Sequence, residues 1–224
     1  MNNIIIFAAH PDDEILGVGG TVARHMSEGD AVSIVIMATG LASRGEVGDD
    51  ELNALKNTTI EANGILGVKK ENIFFEGLPD NQMDTVSQLE INKRVEFYID
   101  KIRPNIVYTH HAGDLNIDHR RTHEAVMTAC RPIPGQCVKK ILCFETVSST
   151  EWAGYGFSPF LPNYFIDISK IINLKNKALE LYKTEMKNSP HSRSLQNIKN
   201  LAGFRGNCVG VEFAESFVLA REIK

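Results

Sequence analysis

No run of apolar residues in this sequence approaches the roughly 18 to 20 needed to cross a bilayer, so no membrane segment is expected. Cysteine is sparse: there are only Cys130, Cys137, Cys143 and Cys208, none in a CxxC spacing, which argues for reduced thiols used in packing and against a disulfide framework. There is no block of lysine and arginine, and the net charge of -4 speaks against nucleic acid or an anionic membrane as the main partner. No basic n-region precedes the apolar start at Ile4, and Asp12, Asp13 and Glu14 follow at once. No signal peptide is therefore expected, and the expected location is cytoplasmic. Repeats, low-complexity tracts and linkers are missing as well, so residues 1–224 are expected to form a single domain. These absences leave a small molecule as the expected partner.

What is present is a rhythm. Short apolar runs rich in β-branched residues, IIIFAA (4–9), VSIVIMAT (32–39), NIFFEG (72–77), NIVYTHH (105–111) and KKILCFE (139–145), read as buried strands. Amphipathic patterns at about 14–28, 50–66, 85–102 and 119–130 alternate with them, the second ending at Gly67 and the third before Pro104. Strand alternating with helix predicts an α/β fold, a Rossmann-like three-layer sandwich with a mainly parallel sheet and helices on both faces. After Glu145 the rhythm changes to a long loop, SSTEWAGYGFSPFLPN, and two helices are expected at about 169–187 and 193–205. Ligands of such sheets bind outside the carboxyl ends of the strands.

At that end of the first strand stands AAHPDDE, Ala8 to Glu14. His10 and, three residues later, Asp13 can be turned onto one metal ion, and nitrogen plus oxygen donors suit zinc. Pro11 fixes its own φ and biases His10 toward an extended conformation, which stiffens the turn and points Asp12 elsewhere. Glu14 is expected to open the helix, in which Gly17, Gly19 and Gly20 allow close backbone packing. Alone, the loop has a second reading: Asp12 or Asp13 as a helix N-cap and His10 as a turn residue.

A second polar cluster, THHAGDLNIDHRRTH from Thr109 to His123, follows the fourth strand at the same end of the sheet. A catalytic zinc needs three protein ligands and an open position, so one histidine from this loop would complete the set, and His119 is the first candidate. His123, one turn on, is the second, with an ordinary helix histidine as the alternative. Asp114 or Asp118 could orient a ligating imidazole from behind.

HPDDE after a first strand with DLNIDHR after a later one resembles the PIG-L/LmbE-like zinc-dependent N-deacetylase family. ATGLASRG, LPDNQMD, SSTEW, SPHSRS and FRG look like further segments of bacterial members, so the resemblance spans nearly the whole chain. It implies removal of an acetyl group from an N-acetylated amino sugar or sugar conjugate by metal-activated water. It also implies His10, Asp13 and His119 as ligands of one Zn2+ per chain (other divalent metals such as Fe2+ suit the same donors), Asp12 as general base, and homo-oligomers in some members. One departure stands out. Many members carry a histidine three residues before the third ligand, where this chain has Asn116, which can donate a hydrogen bond but not a proton. The missing acid would then be Asp12 itself or one of His110, His111 and His191, with His191 in the polar turn SPHSRS preferred.

Four residues are candidates for substrate contact: Arg44, whose guanidinium is a planar fork of donors, Asp80 and Asn81 in LPDNQMD, and Trp152, the single tryptophan, which could stack on a sugar ring. Their plainer readings are a surface ion pair with Asp49 or Asp50, a turn, and a hydrophobic plug. GVGG is not GxGxxG, and carboxylates sit where a pyrophosphate would lie, so nucleotide redox chemistry is discounted. Three other functions compete: a zinc amidase acting on a non-sugar N-acyl compound, a non-catalytic metal-binding module, and a magnesium phosphohydrolase using Asp12 and Asp13. A spare Asp12 argues against the second, and two histidine-rich loops argue against the third.

Overall fold

Ile4, Ile5, Ile6, Phe7 and Ala8 are all fully buried, a condition met only by a central strand with helices on both of its faces. In the computed structural model, which describes residues 1–41 and 48–224, this segment is β1 (Asn3–Ala8). It is followed by α1 (Asp13–Ser27), β2 (Ala31–Ala38), α2 (Asp49–Ile65), β3 (Ile73–Leu78), α3 (Gln88–Ile102), β4 (Ile106–His110), α4 (Ile117–Ala129) and β5 (Lys140–Phe144). The chain ends through β6 (Tyr164–Asp167), α5 (Ile172–Leu179), α6 (Leu195–Asn207) and β7 (Ala214–Glu222). The seven strands form one sheet in the order β3-β2-β1-β4-β5-β7-β6. The alternating α/β pattern and the mainly parallel sheet read from the sequence are present.

The period of two along β1 divides the core. Ile4, Ile6 and Ala8 pack with Val18 and Val22 of α1, Ala62 of α2, Leu179 of α5 and Ile198 of α6. Ile5 and Phe7 face the opposite layer, with Ile91 and Val95 of α3 and Ala125 and Val126 of α4. Because β1 pairs in parallel with both β2 and β4, the direction of strand addition reverses between β1 and β4. This switch point opens a crevice at the carboxyl ends of the two strands, where both polar loops emerge.

The tail departs from expectation. Two strands, β6 and β7, lie after the long loop and after the last expected helix, in stretches for which no element was expected, and β7 runs antiparallel to β5, with Phe144 opposite Phe217. β7 hides its strand character because Glu215 is buried: it pairs with Lys175 Nζ at 2.6 Å and accepts from the backbone N–H groups of Gly20 and Thr21. The helix expected over 169–187 stops at Leu179, and the chain turns so that Tyr182 enters the core. Of the cysteines, Cys130 and Cys143 are buried as packing residues, but Cys208 is exposed. Among the described residues no helix is long and apolar enough to cross a membrane.

The glycines of α1 set its distance from its neighbours. A Cβ at Gly20 would lie 2.8 Å from Ile168 Cδ1, and one at Gly17 would collide with the buried Phe144 ring. Gly17→Ala should therefore destabilise the fold by about 1–3 kcal/mol through overpacking. Gly64→Ala, in α2 with nothing within 4 Å of the new carbon, should instead stabilise it by about 0.5–1 kcal/mol. Thermal melts of the two variants should move in opposite directions.

Candidate active site

The loop after β1 is a tight turn. Asp13 N–H donates to the His10 carbonyl at 3.3 Å, with Pro11 second in the turn and Asp12 third at φ 98°, ψ −31°. These angles are close to those of the third residue of a type II turn, a place that favours glycine. An aspartate held there stores on the order of 1–3 kcal/mol of backbone strain. Asp12 occupies the N-cap position of α1, yet its side chain makes no capping hydrogen bond, so the capping reading fails for it. Glu14 is more than a helix opener: its carboxylate is buried and accepts from Asp12 N–H at 3.1 Å. Four described residues other than glycine have positive φ: Asp12, Asn81, Arg103 and Ser148. Arg103 ends α3, and the other three line one cavity of about 130 Å³ in the crevice between β1 and β4. Strain gathers at this site.

Three donor atoms converge at its floor. His10 Nδ1 lies 3.2 Å, and His119 Nε2 3.1 Å, from Asp13 Oδ2. Ligands about 2.0–2.1 Å from a tetrahedral ion are themselves roughly 3.3 Å apart, so these spacings fit a zinc-sized cation. The other Asp13 oxygen, Oδ1, is buried without a hydrogen-bond partner among the described residues, as expected of a group that awaits a cation.

Each imidazole is aimed from behind. His10 Nε2 is 3.0 Å from Asp118 Oδ2 and 3.2 Å from Asp80 Oδ1, which places its proton on Nε2 and frees Nδ1. His119 is arranged the other way round, with Nδ1 3.0 Å from Asp114 Oδ1 and Nε2 turned to Asp13. The two aspartates are fixed in turn. Asp118 accepts from the N–H groups of Asn81 and Met83, and Asp114 accepts from Asn116 N–H, Ser149 Oγ and Thr150 Oγ1.

Protonation follows from these contacts. Burial alone would lower His10 and His119, but hydrogen bonds and charge from Asp118 and Asp13, and from Asp13 and Asp114, carry them up to about 10 and about 9. Burial raises Asp13 and Asp114, yet the histidine charge beside them holds both below the usual carboxylate range. The pocket thus demands positive charge, which a divalent ion would supply while leaving the imidazoles neutral. Burial lifts Asp12 well above the ordinary range, and the Arg193 guanidinium pulls it back.

Arg193 is the residue that sequence reasoning missed. Its NH1 donates to Asp12 Oδ2 at 2.7 Å and its Nε to Ser148 Oγ at 2.6 Å, so one guanidinium ties two strained loops together across the cavity. Its only sequence signal is its place in SPHSRS, two residues past His191. His191 itself accepts from Arg193 N–H through Nδ1 and stands edge-on to Trp152 at 5.8 Å, outside the residues that line the cavity. Of the two, Arg193 lines the cavity and His191 does not.

The remaining candidates occupy varied places. Asn116 caps α4, its Oδ1 accepting from Asp118 N–H and its Nδ2 donating to Asn81 Oδ1 at the cavity edge. Asp80 is almost wholly buried behind His10, its Oδ1 lying against that imidazole and accepting from Asn81 Nδ2. Trp152, half exposed, lines a neighbouring groove with Phe204. His110 is stacked on His119 at 3.9 Å and accepts from Ala9 N–H, while burial keeps its ring neutral. His111 reaches the Ser158 carbonyl, and His123 the His110 carbonyl, so His123 stands apart from the donor cluster. Arg44 lies outside the described residues.

A family model described as PIG-L, GlcNAc-PI de-N-acetylase, matches residues 5–130. The uncharacterised deacetylase YaiS of Escherichia coli K12 is 31% identical over 81% of this chain and 90% of its own length. Diacetylchitobiose deacetylase of Thermococcus kodakarensis is 26% identical over 96% of this chain and 82% of its own. Among solved structures, a conserved protein from Thermus thermophilus, TT1542, superposes with a TM-score of 0.78 at 25% identity, covering 100% of this chain and 97% of that one.

The geometry predicts how metal binding divides among these residues. After chelation, titration of the protein with Zn2+ should show a single tight site, and His119→Ala should abolish it. Asp114→Asn, which spares all three donors but loosens His119, should weaken binding by about 10–100-fold. Equal affinity in wild type and His119→Ala would rule the site out.

Proposed function

From membership of the PIG-L family, to which this chain belongs, we propose that the protein is a zinc-dependent hydrolase that removes the acetyl group from an N-acetylated amino sugar or sugar conjugate. The observation that carries this reading is the meeting of His10 Nδ1, Asp13 Oδ2 and His119 Nε2 beside an aspartate, Asp12, that neither caps its helix nor joins the donors. A zinc ion held by these three residues would lower the pKa of a bound water to about 7. The sugar class is supported by the diacetylchitobiose deacetylase relative, which covers nearly the whole chain.

The chain's own residues have separable tasks. Asp12 takes a proton from the attacking water, and burial, by raising its proton affinity, suits it to hold that proton. Arg193 grips Asp12 Oδ2 and so leaves Oδ1 as the oxygen that works. As the acetamide carbonyl becomes tetrahedral, charge grows on its oxygen, and the donors at the cavity wall, Arg193 and Asn116, are placed to stabilise it. Neither can surrender a proton near neutral pH, so the leaving amine is protonated by Asp12, which returns what it took. In this scheme Asn116 supplies a hydrogen bond where many members carry a histidine, and Asp12 carries the acid role.

Acetate release from a panel of N-acetylated sugars, sugar nucleotides and glycoconjugates tests the reading. Turnover should appear on an amino-sugar acetamide and should fall by about 100-fold or more in Asp12→Asn, with metal content retained. Arg193→Gln should lower kcat by about 10–100-fold, whereas His191→Ala should act close to wild type. Turnover only on N-acyl compounds that lack a sugar would replace the substrate class, and full activity in Asp12→Asn would remove the base.

A further inference from the structure

Glu14 is the third carboxylate of HPDDE, and it faces away from the cavity. Its two oxygens receive three donors from three parts of the chain. Oε2 accepts from the backbone N–H of Asp12 at 3.1 Å; Oε1 accepts from Asn63 Nδ2 of α2 at 2.8 Å and from the Tyr182 hydroxyl at 2.9 Å. All of these groups are buried, so no water can take the place of a lost partner. Neither a cavity wall nor a donor to metal, this cluster is idle in the chemistry described above.

We propose that Glu14 is a positioning residue, a clamp that holds the Asp12 backbone in its left-handed conformation and locks that turn to the segment that brings Arg193. The inference rests on the role of Asp12 as base. Asp12 has no glycine-like freedom to sit at φ 98° and makes no capping bond to hold itself there. Its carbonyl is fixed by Ile15 and Leu16 N–H, which any helix start would supply. Its own N–H is fixed by Glu14 alone among the described contacts. Tyr182 extends the clamp: it is buried ahead of Glu185, and Glu185 Oε2 lies 3.5 Å from Arg193, so the phenol that bonds Glu14 also anchors the stretch that supplies the guanidinium. One carboxylate thereby registers the turn after β1 against a segment more than 160 residues later.

Glu14→Gln keeps the shape but replaces an acceptor with a donor, and Tyr182→Phe deletes one donor while the ring stays in the core. In the proposal, Glu14→Gln lowers kcat by about 10–100-fold with KM near wild type and with Zn2+ affinity unchanged, since the metal donors do not move. Tyr182→Phe gives a smaller fall of the same kind, and the double variant falls short of the product of the two, because both act through one contact. Amide hydrogen exchange at Asp12, read by NMR on the zinc-loaded protein, speeds up in Glu14→Gln. That last readout needs no substrate: faster exchange in a protein that deacetylates nothing would overturn the function and leave the clamp. Wild-type kcat and wild-type exchange at Asp12 in a folded Glu14→Gln protein, with Asp12→Asn inactive, would overturn the clamp and leave the function. A loss of Zn2+ affinity in step with kcat would also overturn it, by showing that Glu14 supports the metal donors and not the base.

Discussion

Five carboxylates, Asp12, Asp13, Glu14, Asp114 and Asp118, are buried around the end of one dry strand, and the architecture around them is an answer to that cost. A carboxylate removed from water must be neutralised, paired or supplied with donors. Each of the five is satisfied differently. Asp12 takes a guanidinium, Glu14 an amide, a phenol and a backbone N–H, Asp114 two hydroxyls and an imidazole, and Asp118 two backbone N–H groups and an imidazole. Asp13 keeps one buried oxygen, Oδ1, without a hydrogen-bond partner among the described residues. The compensating groups come from α2, the loop after β3, the loop after β5 and the segment between α5 and α6, so satisfying the charges brings these segments together.

The placement follows from sheet topology. β1 and β4 flank the point where strand order reverses, and both run toward the same edge. Loops that leave two such strands face each other across a crevice without either of them having to be long. The backbone there is bent into costly shapes at Asp12, Asn81 and Ser148, each held by a polar contact from another segment of the chain. The rigid sheet below makes such strain affordable, and it aims side chains at a common centre.

A division of labour among the carboxylates follows from what each one touches. Asp13 meets the imidazoles of His10 and His119, with that of His110 slightly farther off, Asp12 meets a fixed cation at the cavity wall, and Asp114 and Asp118 stand behind the rings of His119 and His10. Glu14's described partners include neither an imidazole nor a guanidinium, which separates it from the other four despite its place in the same motif.

Much of this was legible along the chain. Buried β-branched runs separated by amphipathic stretches determine an alternating α/β order, since their periods are local properties, and the spacing of His10 and Asp13 across Pro11 determines a stiff turn that can present both side chains together. What the tertiary structure alone decided lies in contacts between distant segments. β7 was illegible because Glu215 is buried against Lys175, and a strand whose inward positions are charged loses the alternation that marks it. Arg193 was illegible because its meaning depends on Asp12, 181 residues away, while the adjacent His191 carries the more conspicuous side chain. Even the tautomers of His10 and His119 belong to this second kind, for a sequence can show that a histidine is present, and only the partner behind the ring fixes which nitrogen faces the centre.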